Sequence, residues 1–329
     1  IPFIKLINFL KHIIIKKKMN KKINLIIGSG VLGAYLALEL LKKKEKIIVT
    51  TRAIKRKMRN YDYLKIQKNI RFEQLDVNNK IAVKAIIEKY RPNKIFYFAG
   101  QSSLTKSLKK RKETSTSHFD GTKNFLNIIK KEKLKTKFFK ANSGYIFSPN
   151  KGYIDIDCKF TSNNNPYILA QQKTFKLIKK YRQFGLNLFN LVFMQVESPL
   201  RDNDFFIKKV CLSAKNKSKV IVGNINTYRD YSWITEIVKA ISLTSNLRSK
   251  DFIISAGRKY SGKEILVAAY KLNKLDYSKY FSTNKKFIRK NEEKIIVSSK
   301  KNNSYLKKKF NFEFKVFKNS LIRKMYKNL

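Results

Sequence analysis

Carboxylates are scarce in this sequence: 22 Asp and Glu stand against 74 Lys and Arg in 329 residues, a formal net charge of +52. So lopsided a field would attract any polyanion, and counterion release makes nucleic acid a candidate partner. The lysines, however, are spread along the whole chain beside abundant isoleucine and asparagine. They read as solvated helix faces, and no specific nucleic-acid partner is expected. Cysteine is almost missing. Cys158 and Cys211 stand isolated, without paired spacing or a histidine cluster, which argues against both a disulfide framework and a zinc site. A reducing, cytoplasmic setting without a bound metal is the expectation. Also missing is any uninterrupted apolar run of the roughly 18 residues needed to span a bilayer. In the opening "IPFIKLINFLKHIIIKKKMNKK" the lysines at 5, 11 and 16 to 18 break the run, and no small-residue cleavage site of a secretory signal follows. Residues 1–18 read either as an extension upstream of Met19 or as a basic amphipathic helix for a membrane surface. No internal repeat and no Pro/Gly/Ser linker divides the chain.

What is present is a rhythm. From Met19 onward, "INLIIGSG", "EKIIVTTR", "IRFEQLDV", "KIFYFAG", "KFFKANSGYIFS" and "LNLFNLVFMQVESP" read as strands. Between them "VLGAYLALELLKKK", "NNKIAVKAIIEKY" and "TKNFLNIIKKEK" carry apolar residues at helical spacing. Strands separated by helices of this length imply crossovers and a parallel sheet covered on both faces. The fold class is therefore α/β, a doubly wound Rossmann-type parallel sheet. After Pro199 the rhythm loosens. "FFIKKVCLSAKN", "YSWITEIVKAISLTS" and "GKEILVAAYKLN" read as helices, "KVIVGN" and "DFIISAG" as strands, and the lysine-rich tail from about residue 275 gives mixed signals. The expected organisation is an NADP-binding domain over 19–190, with 230–257 returning to it. A smaller, interwoven α/β substrate lobe is expected from 191–229 and 258–329.

Gly28, Gly30 and Gly33 form GxGxxG at the junction of the first strand and first helix. There Gly28 permits the tight turn, Gly30 lets a pyrophosphate approach the backbone, and Gly33 lets helix pack on strand. The helix N-terminus offers unpaired N–H groups and a partial positive charge to the phosphates. A ribose with a free 2′-hydroxyl would call for an acid about twenty residues on. The second strand ends instead in Thr50, Thr51 and Arg52, and an arginine makes charge-assisted forks to phosphate. NADP(H) is expected over NAD(H).

With these segments in place the chain resembles the extended short-chain dehydrogenase/reductase family, and within it the GDP-mannose 4,6-dehydratase group, from about residue 22 to about 270. "GAYLALELL", "FYFAGQSS" and "DGTKNFLNIIK" carry the general likeness. "VESPLRDNDFFIKK", "VGNINTYRDYSW" and "FIISAGRKYSGKEI" follow the group's substrate-lobe motifs in order and spacing. The family's Arg-Pro-x-Glu strip before the last helices is not found. The resemblance implies a nucleotide-diphosphate sugar as substrate, a homo-oligomer, and a nicotinamide used as an internal hydride shuttle that yields a 4-keto-6-deoxy sugar. It places Ser29 and Leu32 beside the glycines, Asp76 and Val77 near the adenine, and Ala99, Gln101 and Arg201 along the cofactor. Ser102, Gln195, Glu197, Ser198 and Arg229 fall on the substrate side, and Val196 stands where the family often has a histidine. Tyr167 becomes the base at the sugar C4 hydroxyl, and Ser143 the hydroxyl that bonds the reacting oxygen.

Two departures from that pattern concern chemistry. Gln171 replaces the lysine expected four residues after Tyr167. A free phenol has pKa about 10, so about one in a thousand is ionised at neutrality, and the missing charge would have lowered that value. Lys173 lies about 200° further round the helix and cannot take over. Tyr145 replaces the glutamate that the resemblance implies for acid–base help in losing water, and a phenol is poorly matched to that step. "SGYIF" is similar to the matching segment of 4-keto sugar reductases, where a tyrosine follows two after the hydroxyl residue; reduction would use Tyr167 in its neutral form as proton donor and so suffer less from the missing lysine. A reductase or epimerase, and a catalytically silent nucleotide-binding protein, stand as alternatives to the dehydratase.

Overall fold

The computed structural model describes residues 22–54, 58–288 and 293–329, so the expectations for residues 1–18 fall outside it. In chain order the strands are β1 (Ile23–Ile27), β2 (Lys46–Thr51), β3 (Arg71–Gln74), β4 (Lys94–Tyr97), β5 (Lys137–Ser143), β6 (Tyr153–Ile154) and β7 (Leu188–Phe193). They continue with β8 (Gln195–Glu197), β9 (Val220–Val222), β10 (Tyr228–Trp233), β11 (Phe252–Ile254), β12 (Lys259–Ser261), β13 (Phe281–Thr283) and β14 (Ile295–Ser298). Seven of them form one parallel sheet in the order β11-β7-β5-β4-β1-β2-β3.

Strands buried on both faces need apolar side chains at every position rather than at alternate ones. That is why "LII" of β1 and "FF" of β5 are wholly enclosed. Helices Val31–Leu41 and Ile234–Thr244 pack together over one face, and helices Lys80–Tyr90, Gly121–Lys131 and Pro166–Arg182 cover the other. Strand order reverses between β1 and β4, and in open sheets of this kind ligands bind in the crevice beyond the strand ends at such a reversal. GxGxxG follows β1, and residues 98–101 follow β4.

The second, smaller sheet runs β12-β10-β14-β6 with β8 paired to β10, and β13 pairs with β9. Its strands were mostly illegible in the sequence. "YSW", read there as the start of a helix, is instead the end of β10: Tyr231, Ser232 and Trp233 pair in parallel with Gln195, Val196 and Glu197, and the helix begins at Ile234. Period-3.6 spacing in "YSWITEIV" is real, but a free strand edge at β8 wins the first three residues. No helix among the described residues is long and apolar enough to cross a membrane.

Candidate active site

The glycine turn has the shape the spacing predicts. Gly28 sits at φ +103°, in the region that penalises side chains, and a Cβ there would lie 2.9 Å from the backbone nitrogen of Ala99. At Gly33 a Cβ would come within 2.4 Å of the Gly28 carbonyl, so only glycine lets the helix settle on the turn. Gly30 differs from both, because nothing lies within 4 Å of its Cβ direction. Gly30 is also the N-cap of helix Val31–Leu41, which has no side-chain cap and no acid in its first turn. Open space beside an uncapped, positively polarised helix end fits a pyrophosphate. Ser29 is buried, with its carbonyl accepting from Asn60, and Leu32 packs on the adjoining core.

Around this turn the other cofactor candidates occupy the rim. Arg52 does not stand alone: its guanidinium donates to Glu113 Oε1 at 2.9 Å, while Lys110 holds the other oxygen at 3.1 Å. The two cations hold the Glu113 carboxyl below its ordinary pKa. Asp76 is exposed, its Oδ1 accepting from the Asn78 backbone, and the Val77 carbonyl accepts from Asn124. Ala99 and Gln101 follow β4; the Gln101 carbonyl meets the His118 ring at 3.0 Å and its side chain caps Ser103 at 2.6 Å. Ser102 is exposed beside them.

The catalytic candidates converge. Ser143 closes β5, and its hydroxyl accepts from the Tyr145 backbone at 3.3 Å. Tyr167 opens helix Pro166–Arg182. Asn165 caps that helix by accepting from the Tyr167 backbone at 3.0 Å, and Pro166 is pre-shaped for the first turn. The cap also ties to the crevice wall through Ser107 at 3.0 Å and the Leu104 carbonyl at 3.1 Å. The start of the tyrosine helix is therefore anchored to the crevice wall. Tyr167 is 8 % exposed. Burial raises its pKa; hydrogen-bonding contacts with Ser143 and Gln171 oppose this, Tyr145 adds to it, and the Arg201 charge opposes it. Gln171 is buried with Oε1 lacking a partner, so its amide N–H is the end that serves the phenol.

Tyr145 is half-buried, and its hydroxyl accepts from Gln195 at 2.8 Å. A small cavity lined by Gly144, Tyr145, Met194, Gln195, Arg229 and Ile296 adjoins them. Gln195 and Arg229 thus lie with Tyr145 at this cavity. Arg229 is nearly buried and donates to the Tyr228 carbonyl at 2.7 Å. Glu197 and Ser198 lie deeper. Ser198 is fully buried against Tyr35, and Glu197 Oε1 takes the Arg201 guanidinium at 3.3 Å while Oε2 is buried without a partner. Burial raises the Glu197 carboxyl despite Arg201. Arg201 itself spans Val196, whose carbonyl it bonds at 2.6 Å, and lies 3.5 Å over the Phe205 ring.

Two residues of this neighbourhood escaped sequence reading. His118 packs its ring edge-on against Tyr167, with centroids 5.6 Å apart at 73°. Lys140, three positions before Ser143, is 1 % exposed. One of only two histidines in the chain was a visible signal for the first. A lysine inside an apolar strand was the signal for the second.

A family model described as GDP-mannose 4,6 dehydratase matches residues 25–325. The chain belongs to the GDP-mannose 4,6-dehydratase family. As a member of it the protein is an extended short-chain dehydrogenase/reductase of the nucleotide-sugar dehydratase and epimerase group. GDP-mannose 4,6-dehydratase of Sinorhizobium fredii is 24 % identical over 258 residues, 72 % of each chain. The fold also superposes on UDP-glucose 4-epimerase of Thermotoga maritima, solved with UDP-glucose, at a TM-score of 0.80 and 18 % identity, covering 93 % of this chain and 98 % of that one. dTDP-glucose 4,6-dehydratase of Bacillus anthracis, solved with NAD, gives a TM-score of 0.80 at 16 % identity, covering 93 % and 96 %. Solved structures of this fold thus include both an epimerase and a dehydratase.

Proposed function

We propose that the protein oxidises and reduces carbon 4 of a nucleotide-diphosphate hexose, with GDP-mannose the first candidate and NADP(H) the dinucleotide. The single observation behind this reading is the convergence of Ser143, Tyr167 and Gln171 at the crevice mouth beside an open glycine turn. When bound, the dinucleotide supplies the hydride acceptor and donor. Gly28, Gly30 and Gly33 would hold its pyrophosphate, and the unpartnered Gln171 Oε1 would accept from a ribose hydroxyl. Ser143 orients the sugar C4 oxygen by hydrogen bonding. Tyr167 takes the C4 hydroxyl proton in oxidation and returns it in reduction, and the depth of its burial keeps bulk water from competing. Arg229, with its planar fork, suits the diphosphate. For NADP(H), Arg52 exchanges Glu113 for a 2′-phosphate, an inexpensive exchange because exposed ion pairs contribute about 0–1 kcal/mol.

The family match and the substrate-lobe motifs favour 4,6-dehydration as the overall reaction. A second reading, C4 epimerase or 4-keto reductase, is favoured by a specific observation: position 145 offers a phenol tied to Gln195, and no carboxyl group among the described residues takes its place beside Tyr167. Incubating the protein with GDP-mannose and NADP⁺ separates the two. A 4-keto-6-deoxy product without net NADPH supports dehydration. NADPH consumption with a 4-keto sugar nucleotide, or a C4 epimer, supports the second reading, and absence of any turnover or sugar-nucleotide binding refutes both.

A further inference from the structure

Lys140 is a buried cation without a counter-charge. No carboxylate among the described residues pairs with it, and its Nζ donates to the Ala141 carbonyl at 2.6 Å and lies 5.3 Å from the centre of the Tyr97 ring. Tyr97 is its register partner on β4, and the acids nearest that tyrosine, Asp76 and Asp120, act on it only through space. Desolvation is costly for an ammonium, and here it brings the Lys140 pKa down to about 7. Next to it stands His118, 4 % exposed, on a one-turn π-helix over Thr116–Asp120. Such bulges are frequent at functional sites.

The tautomer of His118 follows from its partners. Nε2 faces the Gln101 carbonyl, an acceptor, so it carries the hydrogen. Nδ1 is then a bare acceptor, and it is buried with no partner. Burial and the Lys140 charge press the His118 pKa down to about 3, so the ring stays neutral through the physiological range. Its position is enforced by Gly100, at φ +120°, where any Cβ would come within 2.3 Å of the imidazole. The other face of the arrangement is Tyr167, whose ring His118 touches edge-on.

We propose that Lys140, acting across His118, supplies part of the positive potential at Tyr167 that Gln171 no longer provides, which makes it a positioning residue for the phenol. The inference rests on the reading of Tyr167 as the proton-exchanging group. Ala141, whose carbonyl holds the ammonium, is two strand residues or about 6.6 Å from Ser143, which contacts the phenol. The charge is therefore on the order of 10 Å from the phenol, and at an effective dielectric near 20 it favours tyrosinate about tenfold. The remaining polar neighbours of Tyr167 are Ser143, Gln171, Tyr145 and Arg201; of these only Arg201 is cationic, and Glu197 shares its charge.

The consequence is an unusual pH signature. Lys140 carries its charge below about pH 7 and loses it above, so its help to Tyr167 fades as pH rises. With Lys140→Met, which keeps length and removes the buried charge, wild type should outpace the variant about tenfold at pH 6, about fivefold at pH 7 and less than twofold by pH 8. A loss of activity that is the same at every pH marks a merely structural role and overturns the proposal. A second readout needs no turnover. In the full chain labelled with 3-fluorotyrosine, the Tyr167 fluorine resonance, assigned by its disappearance in Tyr167→Phe, should show an inflection near pH 7 that Lys140→Met abolishes. A flat trace in the wild type overturns the proposal. An inflection in a protein that turns over no sugar nucleotide supports the coupling and counts instead against the proposed function.

Discussion

Gln171→Lys asks how much chemistry the missing charge costs. Position 171 is one helical turn beyond Tyr167, where side chains four apart are neighbours, and Gln171 already reaches the phenol. An ammonium about 4 Å from a phenolate at an effective dielectric near 20 gains about 4 kcal/mol, or about 3 pK units. Against that stands burial, because position 171 is 3 % exposed and a lysine there loses hydration as Lys140 does. Discounting for this leaves a lowering of about one to two units in the Tyr167 pKa, or about 10- to 100-fold more tyrosinate at neutrality. Only steps that consume tyrosinate should gain. Single-turnover oxidation of GDP-mannose, followed at 340 nm with NADP⁺ in excess, should therefore quicken by that factor below the phenol pKa, with its acid limb moved down by one to two units. Reduction of a 4-keto sugar nucleotide by NADPH uses the neutral phenol and should change by less than about threefold. An unmoved acid limb, in a variant that folds and binds NADP⁺ like wild type, would refute the view that charge at 171 governs Tyr167.

Gly30→Ala and Gly33→Ala should part company. The first meets no protein atom and should leave the melting temperature unchanged while weakening dinucleotide binding more than tenfold; the second drives a methyl into the Gly28 carbonyl and should lower stability by about 1–3 kcal/mol as well. Calorimetry and dinucleotide fluorescence titration check both. Glu113→Gln frees Arg52 from its carboxylate and should raise NADP⁺ affinity severalfold, with NAD⁺ within about twofold; equal shifts for both cofactors would place Arg52 away from the 2′-position. Lys140→Met should also stabilise the fold. A lysine whose folded pKa is depressed to about 7 penalises the native state fully below that pH, and the penalty shrinks as pH rises toward the unfolded value of about 10.4. The gain in urea-unfolding free energy is thus expected to be several kcal/mol at pH 6 and much smaller at pH 9, on the order of 1.4 kcal/mol lost per pH unit between.

The parts of this protein legible in its sequence were those encoded locally. Doubly buried strands read as near-continuous apolar runs, so β1, β2, β4, β5 and β7 announced themselves. GxGxxG needed only its place between strand and helix. Gln171 and Tyr145 were visible as departures, because a four-residue helical offset and a strand end fix where they point. The short strands of the second sheet were not legible, since β10 owes its first claim on Tyr231 to Trp233 to an edge offered by residues 195–197, far away in sequence. Nor could the sequence show that Arg52 is engaged by Glu113, 61 positions on.

Sequence by itself determined the glycine turn and the absence of a lysine four residues after Tyr167, because each is a matter of short-range spacing; that the two belong to one site was implied by the family resemblance. Only the tertiary structure decided that His118 and Lys140 would sit behind that phenol. A lysine in a strand can face solvent or core, and it is the packing of β4, the π-turn and the tyrosine helix around β5 that turns Lys140 inward and strips its water.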